Sequence, residues 1–335
     1  MAEQRFADIG RVEAVSTLLR DGGFDPLSPS VFPAEAGDRI VSASRVFIEG
    51  MDFNLVYFPF RHLGYKCITA VVGELYAAMA VPRSASVTLG LSSKLDFSEV
   101  RELWSGMSGA LREHGVGKVS LDLVPSPNGL TAGVSMVGSR GKLTSSRLPV
   151  PKSKDLLCVS GSLGAAYLGM RILEKGRADY EKTGKQPDLE KYKMLVGAYL
   201  KPEMGDGIVS RLEAEELYPS AGVLVTRGLA DAVKRLSRRT ELGAKVYADK
   251  IPFEGNSFAA GRELDVDPVS AAMNGGEDYR LLFAIPILSL EKFRREFQTF
   301  DIIGHLALPE AGAVLVTPDG AELPLRAQGW NDNPE

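Results

Sequence analysis

The sequence contains few of the residues that build metal clusters or covalent crosslinks. Only two cysteines, Cys67 and Cys158, and three histidines occur among its 335 residues. The cysteines form no CxxC motif and no disulfide framework, which favours a reducing cytoplasm. The histidines, His62, His114 and His305, are not clustered, which argues against a histidine-rich zinc site.

Long apolar runs and an excess of positive charge are also missing. No segment approaches the roughly 20 apolar residues that span a bilayer. Glu3, Arg5 and Asp8 interrupt the N-terminus, so it has no signal-peptide core. The formal net charge is −4, so no broad basic surface for nucleic acid is expected. We therefore expect a cytoplasmic globular protein that binds neither membrane nor nucleic acid.

The length and the order of elements predict two α/β or α+β domains. A chain of 335 residues is long enough for two cores at roughly 100–200 residues each. Helical and strand patterns alternate irregularly in both halves, without the short fixed period of a solenoid. Serine, arginine, proline and lysine accumulate near residues 140–153, so we assign the domains to residues 1–150 and 151–335. Residues 175–193 are polar and contain Pro187, which predicts a surface excursion.

A short stretch that begins at Asn274 combines glycines, acids and an apolar run. Gly275 and Gly276 permit a tight turn with positive φ, and Glu277 and Asp278 follow at the mouth of an apolar strand. Carboxylates in such a place suit metal or polar-substrate binding. A hairpin turn with solvated acids explains the pattern equally well, so the residues alone leave both interpretations open.

Three other positions also allow two interpretations. Residues 155–164 join a strand, a glycine-rich turn and a helix start, which either cradles phosphate through N–H groups or simply requires small residues. Glu74 falls on the apolar stripe of a predicted helix, where a carboxylate has a partner or points outward at the rim. Asp122 interrupts an apolar strand, and strand alternation is able to turn it toward solvent.

Seven stretches in one order over nearly the whole chain are typical of a known family: Ile48–Phe53, His62–Lys66, Leu75–Pro82, Asp155–Gly164, Leu200–Glu203, Gly275–Phe283 and Gln328–Asn331. They resemble thiamine-monophosphate kinase, of the PurM-like (AIR-synthetase-like) superfamily. The resemblance implies a two-domain α/β fold whose N-terminal sheet contributes to a dimeric β-barrel, and therefore a homodimer. It also implies ATP and Mg²⁺ as cofactors, and transfer of the ATP γ-phosphoryl group to thiamine monophosphate.

The resemblance assigns roles to individual residues. The catalytic candidates are Arg147, which would contact phosphate, and Asp122; the candidate metal ligands are Glu74 and Asp122. The cofactor-binding candidates are Asp38, Arg39, Arg45, Gly161, Gly164, Thr226 and Arg227. The substrate-side candidates are Asp52, Glu277, Asp278 and Trp330, of which Trp330 would cover the thiamine rings.

The positions that hold Mg²⁺ in the family carry a different charge in this chain. Three arginines, one leucine and two acids occupy them: Arg39, Arg45, Arg227, Leu224, Glu74 and Asp122. Their formal charges sum to +1. A site for several Mg²⁺ ions needs concentrated anionic oxygen ligands, so this set argues against the family's metal chemistry.

Three functions are therefore compatible with the sequence. The first is a divergent thiamine-monophosphate kinase. The second is a non-catalytic paralogue that binds a phosphate-bearing ligand through arginines, whose planar fork suits phosphate. The third is a structural or partner-binding dimer whose former site is closed by salt bridges between these arginines and the two remaining acids.

Overall fold

The computed structural model describes residues 10–24 and 35–327 of the chain. The helices there are α1 (Arg11–Asp21), α2 (Phe60–Ala77), α3 (Phe97–Glu113), α4 (Lys142–Arg147), α5 (Ala165–Thr183), α6 (Lys193–Leu200), α7 (Ile208–Ala214), α8 (Leu229–Thr240), α9 (Ser257–Leu264), α10 (Pro268–Asn274) and α11 (Leu290–Glu296). The strands are β1 (Arg39–Ile48), β2 (Val81–Leu91), β3 (Lys118–Pro125), β4 (Thr131–Arg140), β5 (Leu156–Val159), β6 (Ala221–Val225), β7 (Gly243–Tyr247), β8 (Arg280–Ile285), β9 (Asp301–Ala307), β10 (Ala313–Val316) and β11 (Glu322–Pro324).

The described chain divides into two compact units. The first ends at Ser146 and also includes Glu203–Val209, and the second holds Arg147–Pro202 and the residues from Ser210 onward. Each unit has its own mixed sheet, of four strands in the first and seven in the second. The expected α/β architecture is confirmed.

The first unit is built on a sheet with the strand order β1-β4-β2-β3. β4 pairs antiparallel with β1 and β2, and β2 pairs parallel with β3. Alternation along β2 shows which face is covered, because Ala85, Val87 and Leu89 are buried whereas Ser86 and Thr88 are exposed. The buried face packs on α2, which in turn packs along α3.

The opposite face of this sheet carries small polar side chains. A row of serines crosses all four strands, since Ser44 pairs with Ser135, Ser135 with Ser86, and Ser86 with Ser120. The hydroxyl of Ser120 donates to that of Ser86 at 3.0 Å. Such a face has little relief, so another flat surface is able to approach it closely.

Helices α2 and α3 cross so closely that each requires a glycine at the contact. A Cβ on Gly64 would lie 2.0 Å from the carbonyl oxygen of Leu103, and a Cβ on Gly106 would lie 1.8 Å from that of Arg61. A larger residue at either position fits only if the helices move apart. Gly64 belongs to a segment that carries the family resemblance, so that part of the resemblance reports helix packing.

The second unit has the strand order β11-β10-β7-β9-β5-β8-β6. Within it β10 and β7 are parallel, and the other pairs are antiparallel. Its main core packs apolar residues of β6 against α8, including Val223, Val225, Val233 and Leu236, all at most 4% exposed. β6 forms one edge of the sheet.

Most of residues 175–193, predicted as a surface excursion, are exposed, and the segment includes the end of helix α5. Helix α5 continues to Thr183, because Ile172, Leu173 and Gly176 prolong its buried side. Irregular chain around Pro187 then leads to a 3₁₀ turn at Glu190–Tyr192.

The structure also shows where the two cysteines lie and whether the described helices could span a membrane. Cys67 and Cys158 are both buried, and neither is in a disulfide. Burial raises the pKa of Cys158 to about 12, which makes it a poor nucleophile. None of the described helices is long and apolar enough to cross a membrane.

Gly106→Ala tests the close crossing of α2 and α3. We expect the free energy of unfolding to fall by about 1–3 kcal/mol, the usual range for overpacking a core. The control is Gly109→Ala in the same helix, because a Cβ there meets no atom within 4 Å. Urea unfolding of both variants measures the effect, and equal stability of the two would contradict the crossing.

Candidate functional site

The turn between α10 and β8 has a demanding backbone. Gly276, Glu277 and Tyr279 have φ values of 79°, 68° and 48°, and the latter two lack the freedom of glycine. A left-handed backbone costs such residues about 1–3 kcal/mol each, and strain of this kind concentrates at functional sites. The hydroxyl of Tyr279 donates to Glu277 Oε1 at 3.0 Å, which orients the predicted substrate-side carboxylate.

Asp278, the second acid of this turn, lies inside the second unit. It is 4% exposed, and its two oxygens accept hydrogen bonds from the backbone N–H groups of Gly164 at 2.8 Å and Ala166 at 3.1 Å. Burial raises the pKa of Asp278 to about 6, although both hydrogen bonds favour the charged form. The carboxylate therefore binds the first turn of α5, where the sequence suggested a phosphate cradle.

The glycine-rich turn before α5 depends on close approach to the same elements. Gly164 has φ 75°, and a Cβ there would lie 2.7 Å from the backbone nitrogen of Ala272. Gly161 has φ 134°, and a Cβ there would lie 3.4 Å from the guanidinium of Arg280. Close packing against these neighbours therefore explains why the turn requires small residues, which is one of the two interpretations that the sequence allowed.

A third turn, between β6 and α8, meets the first one directly. The N–H of Glu277 donates to the carbonyl of Thr226 at 2.8 Å. A Cβ on Gly228, which has φ 91°, would lie 2.3 Å from the carbonyl oxygen of Met273. Arg227 lies between Thr226 and Gly228 in the sequence and is exposed just before the start of α8. It makes no hydrogen bond or ion pair with another described residue.

The second unit thus gathers six predicted site residues around three adjoining turns: Gly161, Gly164, Thr226, Arg227, Glu277 and Asp278. Helix α8 begins at Leu229 without a side-chain cap. Uncapped N–H groups and the helix dipole favour an anion at such a place, and the guanidinium of Arg227 adds a full positive charge. This part of the surface is chemically suited to phosphate.

Arg147, the predicted phosphate contact, has partners of its own. Its guanidinium donates to Glu216 at 2.8 Å and to the hydroxyl of Tyr218 at 3.3 Å. Tyr218, and then Glu216, hold the pKa of Arg147 above its usual value. A phosphate bound here would have to replace the carboxylate of Glu216.

In the first unit, Arg39 and Arg45 belong to one strand, β1, and cannot share one ion. They are six residues apart, which is about 20 Å at roughly 3.3 Å per residue. Arg45 NH2 lies 3.8 Å from Asp52 Oδ1, and its guanidinium lies 5.1 Å from the ring of Phe47. Asp52 also accepts the N–H of Ile48 at 2.9 Å. Asp38 and Arg39 lie at the start of the strand, where Arg39 is exposed and Asp38 is partly buried.

The residues present do not fit the Mg²⁺ centre that the family implies. Glu74 is on α2, which covers one face of the sheet, whereas alternation places Asp122 on the other face between the buried Leu121 and Leu123. Asp122 pairs with Arg11. Across residues 10–24 and 35–327, no three His, Cys, Asp or Glu side chains come close enough together to hold a metal ion. Leu224 is fully buried in the core of the second unit.

Some site residues were not singled out in the sequence. Arg280 packs against Gly161, and Ser160 accepts the N–H of Leu281 through its hydroxyl at 2.9 Å. The sequence feature that could have identified Arg280 is its position as a charged residue at the start of an apolar strand. Trp330 lies outside the described residues.

Comparisons with known proteins agree with this architecture. Residues 28–139 match the family model of the AIR synthase related protein, N-terminal domain. A thiamine-monophosphate kinase of Methanopyrus kandleri is 26% identical over 68% of this chain and 67% of its own length. The resemblance to thiamine-monophosphate kinase is confirmed.

Two crystal structures extend the similarity to most of the chain. Thiamine-monophosphate kinase from Stenotrophomonas maltophilia superposes with a TM-score of 0.74, at 22% identity over 92% of this chain and 96% of that one. AaThiL complexed with AMPPCP and TMP superposes with a TM-score of 0.70, at 20% identity over 96% and 97%. The PurM-like two-domain fold is therefore confirmed.

Asp278→Asn tests the buried carboxylate through its pH dependence. Because burial raises the pKa of Asp278 from 3.8 to about 6, the contribution of this group to stability is complete below pH 3.8 and is lost as the pH rises through 6. The loss amounts to about 3 kcal/mol at 1.36 kcal/mol per pKa unit. We expect the variant to lack this dependence, so that wild type loses stability relative to the variant as the pH rises from 3.8 through 6.

Urea unfolding between pH 3.5 and 7 measures this difference. Asp179→Asn, on an exposed part of α5, is the control and should show no such trend. A stability difference for Asp278→Asn that does not change with pH would contradict the assignment.

Proposed function

We propose that this protein is a thiamine-monophosphate-kinase-like protein that binds a phosphate-bearing small molecule, either ATP or a thiamine phosphate. The similarity over most of the chain supports this, as does the neighbour complexed with AMPPCP and TMP. The observation that carries the proposal is the junction of three turns in the second unit. There Thr226, Arg227 and Glu277, all predicted to bind cofactor or substrate, are neighbours.

The name of the relatives describes transfer of a phosphoryl group to thiamine monophosphate, which with ATP as donor would yield thiamine diphosphate. The family mechanism relies on Mg²⁺ ions to neutralise donor and acceptor. Since the described residues do not supply a matching set of acidic ligands, we assign ligand binding to this chain and derive no transfer step.

Arginines take over the phosphate contacts in this proposal. Arg227 is exposed beside the uncapped start of α8, and Arg39 is exposed at the start of β1. Guanidinium groups bind phosphate oxygens through two parallel hydrogen bonds. They stabilise a bound phosphate without providing the alignment of a multi-metal centre.

A structural protein with a closed former site is the other candidate. The ion pair between Arg45 and Asp52 favours it, because this pair neutralises one of the arginines locally. Asp122, one of the two acids that this alternative pairs with Arg39, Arg45 or Arg227, pairs with Arg11 instead, which counts against it. The exposure of Arg227 favours ligand binding over this alternative.

We further propose a cytoplasmic homodimer formed through the N-terminal domain, residues 1–150, with residues 151–335 as the C-terminal domain. The serine-lined face of the first sheet supports the dimer, together with apolar side chains at its β1 edge. Ile40 and Val46 there are 53% and 55% exposed. The absence of a disulfide at Cys67 and Cys158 is consistent with a reducing compartment.

Arg227→Gln tests the phosphate contact. Titration calorimetry with ATP in EDTA should show a dissociation constant raised about tenfold or more, since hydrogen bonds to charged groups contribute about 1.5–3 kcal/mol. Arg238→Gln removes the same charge from an exposed position on α8 and should leave the constant within about twofold of wild type. Equal weakening by both variants, or no binding by wild type in EDTA, would contradict the proposal.

A further inference from the structure

Strand β6 forms an edge of the seven-stranded sheet and, among the strands of residues 10–24 and 35–327, pairs with β8 only. The N–H and C=O of Leu281 bond to Ser160 on the other side of β8. Because these groups alternate in direction along a strand, Leu282 and Ala284 face β6, and their register partners are Val223 and Ala221.

The intervening residues of β6, Gly222 and Leu224, therefore direct their backbone groups away from β8, to the outer edge of the sheet. An unpaired edge is a template for a strand of another chain. The sequence Ala-Gly-Val-Leu-Val of β6 increases this hazard, because it has no charge and no proline. A second copy of β6, related by a two-fold axis, would present the same apolar strand to this edge.

Two arginines of α8 donate hydrogen bonds to the carbonyl groups of β6 that point away from β8. Arg235 NH2 donates to the carbonyl of Leu224 at 2.6 Å, and Arg239 NH2 donates to the carbonyl of Gly222. The spacings match, because four residues along a helix rise about 6 Å and two residues along a strand span about 6.6 Å. Asp231, one turn earlier, accepts from Arg235 Nε at 2.9 Å and holds that side chain in place.

We propose that Arg235 and Arg239 form a clasp that closes the β6 edge against strand addition by a second copy of this chain. Each guanidinium occupies a carbonyl that an added strand would need, and places a positive charge where a second, identical clasp would have to lie. The clasp does not rest on the proposed function, although Arg235 NH2 also donates to the hydroxyl of the predicted site residue Thr226 at 3.5 Å.

The test is the double variant Arg235→Met/Arg239→Met in the full chain, which keeps much of the aliphatic packing and removes the donors. Sedimentation velocity at increasing protein concentration should show association beyond the wild-type state. Arg238→Met, which removes a charge from the exposed side of the same helix, should behave as wild type. Hydrogen exchange should show the Gly222 and Leu224 amides protected in the associated form of the double variant.

If the double variant does not fold, the single variant Arg239→Met is measured in its place. It should associate more weakly than the double variant but through the same edge. A wild-type sedimentation profile for every folded clasp variant would overturn the proposal. Association that leaves the β6 amides unprotected, or that Arg238→Met shows equally, would overturn it as well.

Discussion

The carboxylate of Asp278 is the contact that joins the turns of the second unit's candidate site. It is removed from water and held by the N–H groups of Gly164 and Ala166. Those bonds join the β8 turn to the start of α5, and the N–H of Glu277 joins it to the turn before α8. The cost of burying the charge outweighs the two hydrogen bonds, which is why the pKa of Asp278 is raised to about 6.

The residues that identify the family are in large part residues that hold the fold. Gly64 permits the crossing of α2 and α3, and a Cβ on Gly275 would lie 2.4 Å from the Cβ of Tyr167. Asp278 points inward. Because these residues hold the fold, the chain can keep them and its architecture while the acids on the metal side are replaced. Of the two metal-side acids that remain, Asp122 pairs with Arg11, and the substrate-side candidate Asp52 pairs with Arg45.

Local patterns predicted the elements well where burial follows a simple period. The apolar stripe of α2 is such a case, whereas the buried side of α5 continues through Gly176, inside a segment whose polar sequence predicted a surface excursion. The partners of Asp278 could not be predicted from the sequence. Gly164 is 114 residues away, and its contact is a backbone N–H, which leaves no side-chain signal. The same holds for Asp122 and Arg11, 111 residues apart.

We infer that the chain retains a phosphate-binding surface at the three turns of the second unit without the family's Mg²⁺ centre. The most direct test is to incubate the protein with ATP, thiamine monophosphate and saturating Mg²⁺. Chromatography then measures whether thiamine diphosphate has formed. The thiamine-monophosphate kinase of Stenotrophomonas maltophilia, assayed in parallel, is the positive control. We predict no product above a heat-treated sample. Product that accumulates with Mg²⁺ and disappears in EDTA would contradict the account.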